Sequence, residues 1–243
     1  MPVSKNGVRI SEIFTSIEGE GIFSGTKTMF IRLAGCHLKC RWCDTEYALP
    51  LDSGRHYSIN EAIDLIEKHI QPFTYKVNFT GGEPLLQHQA LISLADFIKT
   101  SIGLRTYIES SCFDSQRFSE IVQYFDICKI EFKTPDSGAT TIDNYKNLLR
   151  NEFECLDIAQ KSDKITYIKV VTTRSTSKIW LHELVHNIFE KNTPTNISGF
   201  VIQPSYGTDE PTFSNLIDFY DIVFPFYPEV RIIPQLHKEL CAR

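Results

Sequence analysis

The sequence predicts an α/β fold, a partial TIM-type β/α barrel with a mostly parallel sheet. Apolar runs rich in β-branched residues alternate with amphipathic segments about six times, which is the pattern of repeated β-α units. No linker along the chain is long enough to separate two domains, so residues 1–243 are expected to form one domain. Polar residues cluster just after several strand candidates, where folds of this class keep their active sites.

Eight segments have the composition of strands, and they lie at 8–17, 26–35, 75–80, 105–110, 126–133, 165–172, 199–204 and 229–234. Six amphipathic segments are expected to be helices, and they lie at 58–70, 85–101, 115–125, 142–151, 177–191 and 212–224. The first helix has the clearest beginning, because Ser58 and Glu61 form an S-x-x-E capping box ahead of an apolar stripe.

Composition and charge exclude several classes of protein. Hydrophobic residues make up 42% of the chain and charged residues 23%, which excludes a mainly disordered protein. Twenty-five Lys and Arg against 30 Asp and Glu give a net charge of -5, the wrong sign for a domain that neutralises nucleic-acid phosphates. No run approaches the ~18 apolar residues of a membrane helix, and the N-terminus lacks the apolar stretch of a signal peptide. We expect a cytoplasmic protein without a nucleic-acid or membrane partner.

The polar clusters follow six different strand candidates. They lie at 36–45, 80–84, 109–111, 131–133, 203–206, and at Gln235 with His237. In a parallel β/α barrel the carboxyl ends of the strands meet on one face. The sequence therefore predicts that these six segments line one site.

The first cluster contains three cysteines in the spacing C-x3-C-x2-C. Cys36, Cys40 and Cys43 lie within eight residues, whereas the other four cysteines are scattered and are expected to be buried small hydrophobes. Three thiolates on one loop can bind a four-iron, four-sulfur cluster and leave one iron without a protein ligand. Structural zinc is the alternative, but it needs a fourth ligand, and His37 is poorly placed for that because it directly follows Cys36.

The second cluster is the sequence Thr-Gly-Gly-Glu-Pro at 80–84. Glycines without a Cβ let backbone groups approach a ligand closely at a strand end, and the carboxylate of Glu83 suits a cationic amine. Together with the cysteine spacing, this segment resembles the radical S-adenosylmethionine superfamily, in which it holds the methionine end of S-adenosylmethionine. The resemblance implies a radical S-adenosylmethionine core domain with a 4Fe-4S cluster and S-adenosylmethionine as cofactors.

A closer resemblance covers essentially the whole chain. The segments SIEGEGIFSGTKTMFIRLAGCHLKCRWCDTEYA, TGGEPLLQ, IEFKTPDSG, VIQPSYG and IIPQLHK are similar to those of the 7-carboxy-7-deazaguanine synthase family. Two positions depart from its pattern. Glu18 stands where the family commonly has Gln, and a carboxylate can only accept hydrogen bonds. IEFKTP stands where many members have Ser-Pro-Lys, which leaves Lys133 in register.

The resemblance implies a lyase reaction. In this family 6-carboxy-5,6,7,8-tetrahydropterin loses ammonia by ring contraction and becomes 7-carboxy-7-deazaguanine, an intermediate toward 7-deazapurine nucleosides such as queuosine or archaeosine. A 5′-deoxyadenosyl radical takes hydrogen from the pterin and later returns it. A reducing electron donor, magnesium and a homodimeric state are implied in the same way.

The resemblance also implies roles for individual residues. The pterin would meet Ile17, Glu18, Gly19, Arg32, Thr80, His237 and Arg243, with Arg32, Glu20 and His237 as catalytic residues. Arg32 would hold the substrate carboxylate, because a guanidinium forms bidentate pairs. S-adenosylmethionine would contact Gly82, Glu83, Ser111, Glu131, Phe132, Lys133, Gln203, Pro204, Ser205 and Tyr206. Thr45 would bind magnesium.

Purely structural roles are alternatives for several of these assignments. Thr45 could be a capping hydroxyl, and His237 could belong to an unremarkable C-terminal tail. The whole protein could instead be another small radical enzyme, such as a glycyl-radical activase, or a zinc-stabilised binding module.

Overall fold

The computed structural model describes residues 7–191 and 196–241. Within them the strands form one nine-stranded sheet in the order β3-β1-β2-β4-β5-β6-β7-β8-β9. The strands are β1 (Gly7–Ile17), β2 (Lys27–Leu33), β3 (Arg55–Ser58), β4 (Lys76–Gly81), β5 (Arg105–Ser110), β6 (Ile127–Glu131), β7 (Ile165–Thr172), β8 (Gly199–Pro204) and β9 (Arg231–Ile232). Every neighbouring pair from β2 to β9 is parallel, while β1 is antiparallel to both β2 and β3. The predicted mostly parallel, open α/β sheet is confirmed.

The helices are α1 (Ile59–His69), α2 (His88–Phe97), α3 (Ser115–Ile121), α4 (Ile142–Lys161), α5 (Lys178–Lys191), α6 (Phe213–Val223) and α7 (Leu236–Glu239). Helices α1 to α6 pack against one face of the sheet, whereas α7 lies against the turn after β1. The predicted capping box is present, because Ser58 Oγ accepts from the Glu61 N–H and the Glu61 carboxylate accepts from the Ser58 N–H. Alternate apolar strand residues such as Phe79 and Ile130 join the buried helix residues in one large hydrophobic core.

The opposite, concave face of the sheet is closed at the amino ends of the strands. Tyr107, Tyr167 and Val201 pack there against Ile22 and Phe23, which lie in the turn that follows β1. Within the described residues the edge strands β3 and β9 do not pair, so the sheet stays open. The turn after β1 packs on the concave face and contacts β8. The upper part of the concave face is left open at the carboxyl ends of the strands.

Several elements differ from the sequence prediction. Residues 55–58 form β3, which was not expected because this short edge strand has exposed residues at its start and no apolar alternation. Helix α4 continues ten residues beyond the predicted end, to Lys161. The predicted helix 85–101 is a 3-10 turn, then α2, then a π-helical turn that ends at Gly103 in the left-handed conformation.

No helix in the described part of the chain is long and apolar enough to cross a membrane.

Candidate active site

A cavity of about 410 Å³ opens at the carboxyl ends of the parallel strands. The turn after β1 contributes its floor, and residues at or beyond the ends of β2, β4, β5, β6, β7 and β8 contribute its walls. The sequence-predicted residues that line it are Ile17, Glu18, Gly19, Glu20, Arg32, Cys36, Cys40, Cys43, Thr45, Thr80, Gly82, Glu83, Ser111, Glu131, Lys133, Gln203 and His237. The predicted convergence of distant segments on one site is therefore what the structure shows.

The cysteine loop is fixed by backbone hydrogen bonds on both sides. The Cys36 N–H donates to Leu49 O at 2.9 Å, and the Arg41 N–H donates to Ser137 O at 2.9 Å. All three thiols of the triplet are free and partly buried. Burial raises the pKa of Cys36 to about 12 and also raises that of Cys40, so a bound metal would have to displace these protons. Among the described residues no other cysteine lines the cavity.

The separation of these thiols fits a cluster better than a single zinc ion. In the described part of the chain, the one group of three His, Cys, Asp or Glu ligand atoms within 4.8 Å of one another does not include a cysteine. Tetrahedral zinc with Zn–S bonds near 2.3 Å would bring its sulfur ligands to within about 3.8 Å of one another. Three thiols without a fourth protein ligand match the corners of a 4Fe-4S cluster with one open iron.

The glycine segment packs directly against the strand that leads into the cysteine loop. A Cβ on Gly81 would lie 2.3 Å from the Leu33 backbone, and one on Gly82 would lie 2.1 Å from Gly35 O. Gly81 also has φ +127°, which L side chains rarely adopt. The Gly82 N–H donates to Leu33 O at 2.9 Å. Both glycines are required because the two backbones touch, and this contact joins the ligand-binding segment to the cysteine loop.

Glu83 lines the cavity but is already saturated. Its carboxylate is 1% exposed and accepts from the Leu85 N–H at 2.9 Å, the Ser110 hydroxyl at 2.7 Å, the Ser111 N–H at 2.8 Å and the Ser111 hydroxyl at 2.5 Å. From the sequence, this carboxylate is expected to suit a cationic amine. The four donors instead give Glu83 the role of holding the ends of β4 and β5 together beside the cavity.

Arg32 reaches the cavity wall from the end of β2. Its Nε donates to Glu12 Oε1 at 2.8 Å, and its guanidinium lies 5.5 Å from the centroid of the Phe14 ring. Tyr47 donates to the same Glu12 oxygen at 2.5 Å. Burial and then the hydrogen bond to Glu12 raise the pKa of Tyr47 to about 12, which keeps it a neutral donor. Glu12 and Phe14 thus fix the plane of the guanidinium from two directions.

The floor of the cavity carries two carboxylates from the turn after β1. Glu18 Oε2 accepts from Lys76 Nζ at 2.5 Å, and Glu20 Oε2 accepts from Lys169 Nζ at 2.6 Å. Burial raises the pKa of Glu18 to about 7 against the opposing effect of Lys76. Glu20 Oε1 also accepts from the Gln235 amide at 2.6 Å, which ties the floor to the C-terminal segment.

The wall above this floor is a network of buried charges. Glu131 Oε2 accepts from Lys129 at 2.7 Å and lies 3.1 Å from Lys169, while its Oε1 accepts from Lys133. Burial alone would raise the pKa of Glu131, but the three ammonium groups hold it well below its ordinary value. Lys129 and Lys169 are not among the site residues predicted from the sequence. Alternation of charged and apolar residues along β6 was the signal that could have found Lys129, because it places one charged face toward the interior.

The C-terminal segment lies against the turn after β1. The Leu236 N–H donates to Gly19 O at 2.9 Å, and a Cβ on Gly19 would lie 2.1 Å from His237 Nδ1. His237 Nε2 lies 3.5 Å from Asp44 Oδ2, and Lys238 Nζ lies 3.7 Å from the same oxygen. His237 is therefore part of the cavity wall, not of an unattached tail.

Glu20, Asp44 and His237 place three ligand atoms within 4.8 Å of one another. Each already has a partner of opposite charge or a hydrogen-bond partner, because Glu20 pairs with Lys169 and Asp44 pairs with His237 and Lys238. Burial opposes ionisation of Asp44, but His237 and Lys238 lower its pKa to about 2. The three side chains are thus already engaged by one another and by neighbouring lysines.

Thr45 precedes a 3-10 turn without capping it. Its hydroxyl makes no capping hydrogen bond to that turn and lies 3.8 Å from Cys43 Sγ at the cavity wall. The capping alternative is thus not what the structure shows.

Some predicted contacts lie elsewhere. Phe132 does not line the cavity: its ring is buried in the core, with its centroid 4.9 Å from that of Phe153. The reason is strand alternation, since Glu131 and Lys133 face the cavity and the residue between them must face away. Pro204, Ser205 and Tyr206 line a separate, shallower depression rather than the main cavity. Arg243 lies outside the described residues.

Comparison with known proteins gives consistent results. Residues 17–137 match the family described as "4Fe-4S single cluster domain". The 7-carboxy-7-deazaguanine synthase of Archaeoglobus fulgidus is 30% identical over 243 aligned residues, which cover 96% of this chain and 97% of that protein. The synthase of Methanocaldococcus jannaschii is 34% identical over 181 residues, covering 69% of this chain and 72% of that protein.

Solved structures support the same fold. QueE from Escherichia coli superposes with a TM-score of 0.66 at 20% identity, covering 95% of both chains. Streptococcus suis SuiB bound to S-adenosylmethionine superposes with a TM-score of 0.56 at 15% identity, covering 82% of this chain and 48% of that one. The partial barrel is therefore the fold of these enzymes, and on the relatives that match along nearly its whole length the chain belongs to the 7-carboxy-7-deazaguanine synthase family.

Proposed function

We propose that this protein is a radical S-adenosylmethionine lyase that converts 6-carboxy-5,6,7,8-tetrahydropterin to 7-carboxy-7-deazaguanine with loss of ammonia. The observation that carries the proposal is one cavity that joins two kinds of site. Three free thiols and a glycine segment lie on one side of it, and Arg32 with two floor carboxylates lies on the other. A volume of about 410 Å³ is that of a small-molecule pocket.

The substrate side suits a carboxylated heterocycle. Arg32 is anchored through Nε, so its two terminal nitrogens are available to bind a substrate carboxylate. Glu18 and Glu20 are acceptors and suit the N–H groups of the pyrimidine edge of a pterin. Thr80 and His237 complete the contacts, with Thr80 held by its hydrogen bond to Glu109 at 3.1 Å.

The cofactor side fits a 4Fe-4S cluster and S-adenosylmethionine. Cys36, Cys40 and Cys43 would bind the cluster, and the backbone at Gly82 would lie beside the methionine end of the cofactor. Ser111, Lys133 and Gln203 complete the cofactor wall, and Gln203 Oε1 is a buried acceptor without a partner among the described residues. When bound, these groups supply one-electron chemistry that removes and returns a hydrogen atom. The chain itself positions the substrate and excludes water.

We also propose that Thr45 binds Mg²⁺ together with oxygens of the substrate and water. A hydroxyl that is not used for capping, at the edge of the cavity, is a suitable hard oxygen ligand. Thr45→Val should lower turnover and shift the magnesium dependence while the iron content stays the same. Full turnover in the presence of a chelator that removes magnesium would contradict this role.

Wider expectations belong to the same proposal. The substrate is a free small molecule, which agrees with the net charge of -5 and needs no nucleic-acid surface. A reducing electron donor and a homodimeric state follow from the family, and the product enters 7-deazapurine nucleoside synthesis, in the cytoplasm.

The proposal is tested by turnover. After anaerobic reconstitution the protein should be brown and should convert the pterin in the presence of S-adenosylmethionine, a reductant and Mg²⁺. A reconstituted protein that cleaves S-adenosylmethionine but leaves the pterin unchanged would be a different radical enzyme, such as a glycyl-radical activase. A colourless protein that binds zinc tightly would be the binding module.

A further inference from the structure

We propose that Lys76, a residue outside the cavity, is a positioning residue that fixes the Glu18 carboxylate so that one oxygen faces the N–H edge of the substrate. The inference rests on the proposed function, since it concerns the pterin subsite. No cavity-lining contact involves Lys76 itself. Its effect would pass entirely through Glu18.

Lys76 is fully satisfied by protein groups. It is 0% exposed, and its Nζ donates to Glu18 Oε2 at 2.5 Å and to Thr28 Oγ1 at 2.7 Å. The same ammonium group lies 5.0 Å from the ring centroid of Tyr107 and 5.7 Å from that of Phe23. Two hydrogen bonds and two aromatic faces surround it, so it is a fixed charge beneath the cavity floor.

Glu18 is anchored through one oxygen only. Its Oε2 accepts from Lys76 and, at 3.3 Å, from Asn78 Nδ2, whereas no donor in the described part of the chain reaches its Oε1. The backbone around it is also fixed, because the Glu18 N–H donates to Thr26 O at 2.8 Å and Glu18 O accepts from the Gly25 N–H at 2.9 Å. The side chain therefore presents a held oxygen to the cavity, and this oxygen is a pure acceptor in the ionised carboxylate.

Stability alone does not explain such a pair. Two charges that are taken completely out of water gain little net stability, and apolar residues of similar size often replace them without loss. An ion pair at the floor of a ligand cavity can also orient a carboxylate toward the ligand. It sets which oxygen faces the ligand, and in the ionised carboxylate this oxygen can only accept, so a ligand group with N–H or O–H fits opposite it.

The neighbouring Asn78 makes the idea testable. Its Oδ1 is buried without a partner among the described residues. In Glu18→Gln, the Lys76 ammonium should keep the amide oxygen and turn the amide NH2 toward the substrate, which removes the acceptor. In the double variant Glu18→Gln with Lys76→Met, the Asn78 amide can turn over so that its unpartnered Oδ1 accepts from the new amide NH2. The new amide oxygen is then left facing the cavity.

The experiment measures kcat and KM for 6-carboxy-5,6,7,8-tetrahydropterin in four reconstituted proteins. Relative to wild type, Lys76→Met and Glu18→Gln should each raise KM at least tenfold with kcat changed less than threefold, because a binding contact is lost equally in ground and transition states. The double variant should return to within about threefold of the wild-type KM. Lys99→Met, which removes a partly exposed lysine paired with Asp126 at 2.6 Å, is the matched control and should not change KM.

Two results would overturn the inference. One is an unchanged KM in Lys76→Met. The other is a double variant whose KM is no lower than that of Glu18→Gln, and this comparison decides the question even if Lys76→Met alone fails to fold. Cleavage of S-adenosylmethionine without pterin should persist in every folded variant. If wild type cleaves S-adenosylmethionine but never converts the pterin, the proposed function fails instead.

Discussion

Glu83→Gln tests whether the saturated carboxylate beside the cavity holds the site together. The substitution keeps size and shape but replaces one carboxylate oxygen with an amide NH2. Each oxygen accepts one backbone N–H and one serine hydroxyl. A hydroxyl can rotate to accept instead of donate, but a backbone N–H cannot. Whichever way the amide turns, at least one buried N–H, that of Leu85 or that of Ser111, therefore loses its acceptor.

The expected cost follows from these contacts. A hydrogen bond to a charged group is worth about 1.5–3 kcal/mol, and the remaining bonds weaken when the charge is lost. The free energy of unfolding of the apo protein should fall by about 2–4 kcal/mol. Urea denaturation monitored by circular dichroism measures it, with an unchanged m-value as the sign that only stability has changed.

The matched control is Glu120→Gln. Glu120 is 44% exposed and pairs with His88 at 3.1 Å, so its loss should cost no more than about 0.5 kcal/mol. Because Glu83 lines the cavity between Gly82 and Ser111, Glu83→Gln should also weaken binding of S-adenosylmethionine. A Glu83→Gln protein as stable as Glu120→Gln would refute the argument that Glu83 organises the strand ends.

Three further predictions concern the cluster, the substrate carboxylate and acid stability. Cys40→Ala should lose bound iron after reconstitution whereas Cys155→Ala should retain it, because Cys155 is buried in the core; equal iron contents would contradict the assignment of ligands. Arg32→Lys should lower pterin turnover at least tenfold but spare cleavage of S-adenosylmethionine without pterin, because an ammonium group lacks the planar fork; loss of both activities together would make Arg32 structural. Burial alone would raise the pKa of Asp126. The hydrogen bonds that it accepts from Lys99 and from the Thr106 N–H instead lower this pKa below 3.8. Its stabilisation is therefore present above that pH and lost below it, so Asp126→Asn should cost about 1–2 kcal/mol at pH 7 and progressively less as the pH falls toward 3. A constant difference across that range in urea denaturation would show that the carboxylate charge is not responsible.

The fold could be predicted from local patterns because they repeat. Alternation of apolar runs with amphipathic segments located every strand from β4 to β8 and every helix from α1 to α6. Strand β3 was missed because its pairing with β1 is a tertiary contact that leaves no apolar alternation in four residues. The end of α4 was placed too early for a related reason, since its last turns are held by packing against the sheet, with Leu156 and Ala159 fully buried.

The site was predictable where its chemistry is local in sequence. The cysteine spacing and the paired glycines lie within short segments, and both line the cavity. Roles that depend on distant partners were not predictable. Glu83 looked like a ligand-binding carboxylate because its Ser110 and Ser111 donors come from another strand. Lys76 looked like an ordinary strand residue because its partner Glu18 lies 58 positions away.

The most direct test of the central claim is pterin turnover by the reconstituted protein, followed by mass spectrometry. The enzyme is incubated anaerobically with S-adenosylmethionine, a reductant, Mg²⁺ and 6-carboxy-5,6,7,8-tetrahydropterin. We expect 7-carboxy-7-deazaguanine and ammonia in equal amounts, with S-adenosylmethionine regenerated and with no product from the Cys40→Ala protein. A brown, cluster-loaded wild-type protein that cleaves S-adenosylmethionine and yields no deazaguanine product would contradict the account.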